Sequence, residues 1–310
     1  LANAVLRRLA SEGKKKLNRF PVRLNYPNWL IKSWTNHYGV EKAEKIFEAC
    51  VQEPMLDISV KSNPAYWAKK LDGQVLASGS IRRKFFGRIE NLPGYDEGAW
   101  WVQDAGATLP VQLFGKLDGA NVLDVCAAPG GKTAQLLCGG ANVTAIDISN
   151  VRIRRLKENL NRLGLKAELI HADIKKWTTN RLFDFIFLDA PCSATGTIRR
   201  NPDVLIHKTY EDVQKLSIVQ MEILQKVSKL VRPGGQLVYC TCSLQYEEGE
   251  AQVDRFLSEN KGFSRDPISL HEMGSFSDAI NVNGDLRLLP YHLDQNKGVD
   301  GFFASRLTRK

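Results

Sequence analysis

The segment LDVCAAPGGKT, residues 123 to 133, joins an apolar run to two adjacent glycines and then to a helix-like pattern. A short apolar run favours a buried strand, and Gly130 and Gly131 allow the backbone to approach a ligand closely before the next helix begins. In an open parallel sheet, ligands bind beyond the carboxyl ends of the strands. The segment therefore predicts a ligand site at the end of a parallel strand.

Two phosphate-binding motifs do not match this loop. A P-loop requires G-x-x-x-x-G-K-[ST], and Cys126 stands where the first glycine belongs. The dinucleotide motif G-x-G-x-x-G fails because the two glycines are adjacent. The glycine loop therefore needs a ligand that is not held through a chain of phosphates.

Apolar runs and helical patterns alternate on both sides of this segment. Helical spacing occurs at 150–163 and 211–230, and the first third has short runs that are typical of a small α/β unit. The strand candidates are NVLDVC (121–126), NVTAID (142–147), AELIHAD (167–173), FDFIFLDA (183–190) and GQLVYCTC (235–242). This alternation predicts an α/β fold with a mostly parallel sheet covered on both faces.

Carboxylates stand at the ends of three of these strands. Asp147 ends the second, where it can accept the hydroxyls of a ribose, and Asp173 ends the third, where it can face an adenine edge. Either residue alone is equally typical of a helix cap. Together with the glycine loop they predict a ribose-bearing cofactor without a phosphate chain, a description that S-adenosylmethionine fits.

Two later strand ends carry an acid and cysteines. Asp189 and Cys192 follow the fourth strand, and Cys240 and Cys242 end the fifth. Because Cys242 comes last, we expect it rather than Cys240 to reach the cleft. The spacing of C-T-C is wrong for zinc, and no bound metal is expected. Six cysteines in 310 residues are too few for a disulfide scaffold, which indicates free thiols and a cytoplasmic location.

The net charge of +9 is concentrated in the first third of the chain. Residues 1–90 hold 17 Lys/Arg against 8 Asp/Glu, whereas residues 91–310 hold 26 of each. An excess of positive charge on one part of a protein is typical of polyanion binding, although a solvated face is an equal alternative. No apolar run approaches the length of a membrane span. A nucleic acid partner and no membrane are therefore expected.

Three motifs in order, LDVCAAPGGKT, DAPCSATGTIRRNPD (189–203) and TCS (241–243), resemble those of the RNA 5-methylcytosine methyltransferases. The resemblance is to the Sun/Fmu type, which modifies small-subunit ribosomal RNA, and it extends to QDAGATLPVQLF (103–114) and DGFFASRL (300–307). It implies a Rossmann-like S-adenosylmethionine-dependent methyltransferase with a mostly parallel seven-stranded sheet. It also implies methylation of carbon-5 of a cytosine in 16S ribosomal RNA, and we expect a monomer.

The resemblance suggests three parts for the chain. Residues 1–15, which include NAVLRRL, are similar to the last helix of a NusB-like domain. Residues 16–90 are then a small basic α/β RNA-binding domain, and residues 91–310 are the methyltransferase domain. The target base must be unstacked to reach a cleft of this kind.

The resemblance also assigns roles that spacing alone leaves open. It implies that Cys242 attacks carbon-6 of the cytosine and that Cys192 assists product release, while Asp189 holds the base at nitrogen-3. Lys132 lies near the methionine end of the cofactor or near the base. The implied cofactor residues are Cys126, Ala127, Ala128, Pro129, Gly130, Gly131, Lys132, Asp147, Asp173 and Asp189. Cys50, Cys138 and Cys240 are expected to be buried thiols.

Basic residues are the candidates for RNA contact. Arg199 and Arg200 follow the Cys192 loop, and Arg82, Arg83 and Lys84 belong to the densest basic stretch. Tyr66, Trp67, Phe85 and Phe86 are aromatic candidates for stacking on bases, with burial in the core as the alternative.

Other functions stay open at this point. Transfer RNA is the nearest alternative substrate, because the chemistry would be the same. A ribosome-assembly factor with incidental methylation is a different class, and it predicts that a catalytically inactive protein still supports function. A small-molecule methyltransferase would leave the basic first third unexplained.

Overall fold

The computed structural model describes residues 2–17, 20–84, 87–293, 295 and 297–310. The α-helices are α1 (Ala2–Leu17), α2 (Asn28–Tyr38), α3 (Val40–Cys50), α4 (Pro64–Lys70), α5 (Ala105–Gln112), α6 (Gly131–Cys138), α7 (Asn150–Arg162), α8 (Val204–His207), α9 (Tyr210–Ser228), α10 (Glu250–Glu259) and α11 (Leu270–Met273). The strands are β1 (Leu56–Val60), β2 (Gln74–Val75), β3 (Ile81–Arg83), β4 (Trp100–Val102), β5 (Asn121–Val125), β6 (Asn142–Asp147), β7 (Glu168–His171), β8 (Phe183–Asp189), β9 (Val231–Thr241), β10 (Phe263–Arg265), β11 (Leu286–Leu288) and β12 (Phe302–Arg309). No helix within the described ranges is long and apolar enough to cross a membrane.

The larger sheet has the strand order β10-β12-β9-β8-β5-β6-β7, and β11 pairs with β12. The strands from β7 to β9 in this order are parallel, whereas β10, β11 and β12 pair in antiparallel fashion. The expected mostly parallel α/β sheet is therefore confirmed. The continuous path contains seven strands, the number that the resemblance implied, and β11 adds an eighth.

The central parallel strands β5, β6 and β8 are mostly apolar because both of their faces are covered. Successive residues of a strand point to opposite faces. Val122 of β5 accordingly packs in one core with Leu136 of α6, while Leu123 packs in another with Leu224 of α9 and Phe256 of α10. Covering both faces leaves the carboxyl edge of the sheet as the place where a ligand can approach.

The loop from β5 to α6 turns through two residues with positive φ. Cys126 has φ +62° and Gly130 has φ +102°. A Cβ atom added to Gly130 would lie 3.0 Å from Leu156 Cγ, so this glycine also lets the loop pack against α7. The loop is therefore held against the fold rather than projecting from it.

The smaller sheet has the strand order β2-β3-β1-β4. Its core combines residues of β1 and β3 with Leu71, which follows α4, and with Trp100 of β4. Since β4 lies at Trp100–Val102, this sheet continues past residue 90, where the sequence suggested a domain boundary.

Helices α2 and α3 pack on the part of the chain that forms the larger sheet. Leu30 and Trp34 of α2 share a core with Ile198 and Leu244. The Trp34 Nε1 donates a hydrogen bond of 2.7 Å to Gln245 Oε1, and the Tyr38 hydroxyl donates one of 2.7 Å to the Leu244 carbonyl. These helices therefore support the segment that directly follows β9.

Candidate active site

Two cysteine side chains meet at the carboxyl edge of the parallel strands. β8 and β9 are parallel neighbours, and Asp189 at the end of β8 lies beside Cys240 of β9. The segments that follow bring the sulfur atoms of Cys192 and Cys242 to 3.5 Å, within hydrogen-bond distance for sulfur. The two thiols are 50 residues apart in the chain, and they form one site because neighbouring parallel strands end at the same edge.

Asp189 and Lys132 form an ion pair beside the thiols. The Lys132 Nζ lies 2.7 Å from Asp189 Oδ2, and the Cys240 thiol donates to Asp189 Oδ1 at 3.5 Å. Lys132 Nζ also lies 5.2 Å from the centre of the Phe302 ring. The Asp189 side chain keeps 29% of its surface exposed, so a ligand in the cleft can reach the carboxylate.

The electrostatic environment distinguishes Cys192 from an ordinary thiol. The hydrogen bond to Cys242, followed by burial, raises the pKa of Cys192 well above that of a free thiol. Burial alone would lower the pKa of Lys132, but the attraction of Asp189 outweighs it and the pKa is raised. At neutral pH Cys192 therefore carries its proton, and Lys132 carries its positive charge.

A cavity of about 370 Å³ connects the strand-end acids with the thiols. Asp147 and Asp173 line it together with Asp189, Cys192 and Cys242. The Asp147 carboxylate accepts hydrogen bonds from the backbone N–H groups of residues 128 and 149, at 3.2 and 2.9 Å. This volume is in the range of small-molecule sites. The acids predicted for ribose and adenine thus share one cavity with both cysteines.

A second cavity, of about 390 Å³, shares Asp189 with the first. The predicted cofactor loop is divided between the two. Cys126 lines the first cavity, whereas the second is lined by Ala127, Ala128, Pro129, Gly131 and Lys132. Gly130 packs against Leu156 and lines neither cavity. Gly130 therefore contributes to the conformation of the loop from β5 to α6 rather than to the lining of a cavity.

Comparison with known proteins gives the family. The sequence model of "16S rRNA methyltransferase RsmB/F" matches residues 111–308, more than half of the chain. The chain belongs to the RsmB/F family. Ribosomal RNA small subunit methyltransferase B of Salmonella arizonae is 34% identical to this RsmB/F chain, over 100% of the chain and 73% of that protein. The resemblance found from the three motifs is thereby confirmed.

Two solved structures are similar to the RsmB/F chain over most of its length. The crystal structure of PH0851 has a TM-score of 0.83 and 26% identity, covering 92% of this chain and 67% of that one. The structure of a methyltransferase homologue from Pyrococcus horikoshii has a TM-score of 0.75 and 27% identity, covering 93% and 97%. They confirm the methyltransferase fold, and family and fold together indicate S-adenosylmethionine as the cofactor.

Two arginines that were predicted to contact RNA lie in buried ion pairs of this RsmB/F chain. Arg82 donates to both carboxylate oxygens of Asp57, at 2.7 and 2.6 Å, and its side chain is 4% exposed. The Arg199 side chain is fully buried, with Nε 3.7 Å from Asp300 Oδ1. The geometry contradicts the prediction for both residues, because a buried guanidinium that faces a carboxylate is not available to a phosphate.

The remaining RNA-contact candidates differ in exposure. Arg200 pairs with Asp104 at 2.6 Å, but its side chain is 25% exposed and it lines the second cavity. Lys84 is exposed and Arg83 is half-buried, so contact with RNA stays a prediction for them. Of the aromatic candidates, Tyr66 is exposed and Trp67 packs on the core of the smaller sheet. Phe85 and Phe86 lie outside the described residues.

The buried Arg82 pair predicts a stability effect. Replacing Arg82 with alanine leaves Asp57 buried with the Ala105 N–H, which bonds to it at 3.0 Å, but without its bidentate partner. We expect the free energy of unfolding to fall by about 3 kcal/mol. Urea unfolding measures the change, and the exposed Lys84→Ala serves as the control, with an expected change below about 0.5 kcal/mol. Equal stability of the two variants would contradict the prediction.

The other cysteines fit the expectations except at one position. Cys50 and Cys240 are buried, as predicted, whereas Cys138 is exposed because it is the last residue of α6 and lies at the surface. Cys126 is half-buried at the cavity. Within the described part of the chain, no group of three or more His, Cys, Asp or Glu side chains is arranged to hold a metal.

Two residues of the site were not anticipated from the sequence. Arg152, in the first turn of α7, lines the first cavity, lies 3.5 Å from Asp147 Oδ2 and donates a hydrogen bond to the Ala128 carbonyl. The sequence signal that could have identified Arg152 is its position five residues after Asp147, at the start of the helix that follows this strand. Glu248 is buried behind the cysteines, and the chain shows it only as one acid among several in YEEGE.

Proposed function

We propose that this RsmB/F methyltransferase transfers a methyl group to carbon-5 of a cytosine in 16S ribosomal RNA through a covalent adduct on Cys242. The observation that carries the proposal is the pair of sulfur atoms 3.5 Å apart beside Asp189. Carbon-5 of cytosine is a poor nucleophile until a thiolate adds to carbon-6, so this reaction requires a cysteine. Membership of a 16S rRNA methyltransferase family supports the choice of RNA.

The residues around the cavities fit S-adenosylmethionine, which supplies an electrophilic methyl group when bound. Asp147, proposed for the ribose hydroxyls, lines the first cavity, and Asp173 lines the same cavity. Asp124 lines the second cavity, and its buried Oδ1 has no hydrogen-bond partner among the described residues. Burial raises the pKa of Asp124 to about 7. The α-ammonium group of the cofactor is a donor that would satisfy this oxygen.

Each residue of the site has a separate task in the proposed reaction. The Cys242 thiol loses its proton to solvent and its sulfur bonds to carbon-6, nitrogen-3 takes up a proton from solvent, and the electrons of the 5,6 double bond make carbon-5 the nucleophile for the methyl group. Asp189 accepts a hydrogen bond from protonated nitrogen-3, which stabilises the adduct. Lys132, 2.7 Å from Asp189, keeps that carboxylate in place and adds positive charge near the thiols.

Release of the product requires the bond between the Cys242 sulfur and carbon-6 to break. The carbon-5 proton is lost to solvent, its electrons restore the 5,6 double bond, and the bond between carbon-6 and the Cys242 sulfur breaks. Cys192 carries its proton and lies against the departing sulfur, which supports its assignment to this step.

The decisive experiment identifies the methylated nucleoside. The purified protein is incubated with labelled S-adenosylmethionine and either deproteinised 16S ribosomal RNA or transfer RNA, and the digested nucleosides are analysed by mass spectrometry. We expect 5-methylcytidine in the ribosomal RNA. A label on an oxygen or an exocyclic nitrogen would overturn the chemistry, and 5-methylcytidine in transfer RNA alone would overturn the substrate.

The cofactor assignment predicts the effect of one substitution. Asp147→Ala removes the carboxylate proposed for the ribose, and we expect the dissociation constant for S-adenosylmethionine to rise by about 10- to 100-fold. Isothermal titration calorimetry measures it, with thermal unfolding as the check on folding. Glu168→Ala is the matched control, since this acid lies at the amino end of β7 and pairs with Arg181. Wild-type affinity in Asp147→Ala would contradict the assignment.

A further inference from the structure

A buried carboxylate lies behind the two cysteines and takes no part in the chemistry above. Glu248 is fully buried in the short helical turn Tyr246–Glu248 that follows β9. Its Oε1 accepts hydrogen bonds from the Ser193 backbone N–H at 2.9 Å and from Gln220 Nε2 at 3.0 Å. Its Oε2 accepts hydrogen bonds from the hydroxyls of Ser193 and Ser243, the latter at 2.5 Å. The carboxylate therefore has four donors.

Two of the bonded residues directly follow the two cysteines in the chain. Ser193 comes after Cys192 and Ser243 comes after Cys242, and their hydroxyl oxygens lie 3.1 Å apart. The two segments also bond directly, since the Gly196 N–H donates to the Cys242 carbonyl at 2.9 Å. One carboxylate thus holds the residue next to each thiol.

The carboxylate is itself anchored to the sheet and to a helix. The Tyr239 hydroxyl donates to the Glu248 carbonyl at 2.8 Å, which ties the turn to β9. Gln220 of α9, besides bonding to the carboxylate, donates to the Pro191 carbonyl at 2.9 Å. Both cysteine segments are therefore fixed, through Glu248 and Gln220, to strand β9 and helix α9.

A buried carboxylate at this place is costly unless its bonds are complete. Burial raises the pKa of Glu248, whereas the hydrogen bonds from Ser193 and Ser243 act in the opposite direction. An apolar residue would fill the space without this cost. The number and placement of its donors indicate a specific arrangement rather than packing alone.

We propose that Glu248 is a positioning residue that sets the separation of the Cys192 and Cys242 thiols by binding Ser193 and Ser243. Its consequence for turnover rests on the proposed function. The separation of the thiols can be measured without RNA, cofactor or activity, so the two proposals can fail independently.

Disulfide formation by diamide measures the separation. Diamide accepts two electrons and two protons as two thiols join, and peptide mass spectrometry without reduction quantifies the Cys192–Cys242 product over time. In Glu248→Ala we expect the rate to fall by about tenfold or more, because the effective concentration of one thiol at the other decreases. In Glu248→Gln we expect a rate within about threefold of wild type, since the carboxamide can accept from the Ser193 and Gln220 N–H groups and donate to the hydroxyls.

The control is a second buried carboxylate away from the cysteines. Asp285 is fully buried and accepts from Arg265 Nε at 3.1 Å, without contact to either cysteine segment. Asp285→Ala should lose stability but keep the wild-type rate of disulfide formation. Should Glu248→Ala fail to fold, Ser193→Ala takes its place, because it removes a hydroxyl donor and leaves the carboxylate. Ser193→Ala is then also expected to slow formation of the Cys192–Cys242 disulfide.

Turnover supplies the second readout. With 16S ribosomal RNA we expect Glu248→Ala to lower kcat by about 100-fold with little change in KM, and Glu248→Gln to recover most of it. A folded Glu248→Ala that forms the disulfide at the wild-type rate overturns the proposal. Equal slowing of disulfide formation in the Ala and Gln variants also overturns it, because charge rather than position would then matter. Absence of 5-methylcytidine with the wild-type protein overturns the proposed function alone.

Discussion

Replacing Cys242 with alanine is expected to abolish methyl transfer, with a fall in rate of at least about 10⁴-fold, comparable to the removal of other covalent nucleophiles. Without the sulfur, carbon-5 is never activated, and the remaining groups only bind and orient the reactants. Cys192 is not expected to replace it, because burial still raises the pKa of the Cys192 thiol when the Cys242 sulfur is absent. The initial rate of label incorporation into 16S ribosomal RNA measures the effect.

A matched control separates loss of chemistry from loss of structure. Cys138 is the exposed cysteine at the end of α6, so Cys138→Ala should methylate at the wild-type rate. Calorimetry should show that Cys242→Ala still binds S-adenosylmethionine, because Asp147 and Asp173 are unchanged. Substantial turnover in Cys242→Ala, combined with its loss in Cys192→Ala, would exchange the roles of the two cysteines.

Replacing Cys192 with alanine is expected to trap the protein on its RNA. The Cys192 thiol lies 3.5 Å from the Cys242 sulfur, and in the proposed reaction it assists the departure of that sulfur. We expect the variant to form the carbon-6 bond and transfer the methyl group, but to release the product about 10²- to 10⁴-fold more slowly. A denaturing gel should show a covalent protein–RNA species that is undetectable with wild type.

Mass spectrometry of the trapped species identifies both partners of the bond. We expect the nucleotide on Cys242, and no adduct in the Cys192→Ala/Cys242→Ala double variant. A nucleotide attached to Cys192 in the Cys242→Ala protein would show that the assignment is reversed. The same digestion reads out which cytosine is modified.

Much of the site was predictable because it lies at strand ends that are adjacent in space. Strands recognisable from their apolar runs put Asp147, Asp189 and Cys242 at one edge, and parallel pairing then dictates that they converge. The contact between Cys192 and Cys242 follows from that rule and from the family resemblance. The apolar periodicity gave no such information for Glu248. Its hydrogen bonds come from three separate parts of the chain, at Ser193, Gln220 and Ser243, which meet only in the folded structure.

The basic first third of the chain shows why the residues for RNA contact were harder to predict than the residues of the site. Arg82 and Arg83 are neighbours with the same local pattern, yet Arg82 lies opposite Asp57 in the pairing of β3 with β1. A sequence pattern tells which residues share a face, but not which residue of a distant strand lies across from them. Asp57 is one of the eight acids already counted in residues 1–90, so this pair leaves the net excess unchanged but removes one cation from the surface.

The packing of α2 on the segment after β9 means that the first third of the chain cannot be exchanged without affecting the segment that follows Cys242. Trp34 and Tyr38 bond to Gln245 and Leu244, which stand only two or three residues beyond the nucleophilic Cys242 of the proposed reaction. Helix α2 thus supports the segment that follows Cys242, although α2 itself lines neither of the two cavities. Exchanging the first third for another domain would therefore remove a support of the segment that follows Cys242.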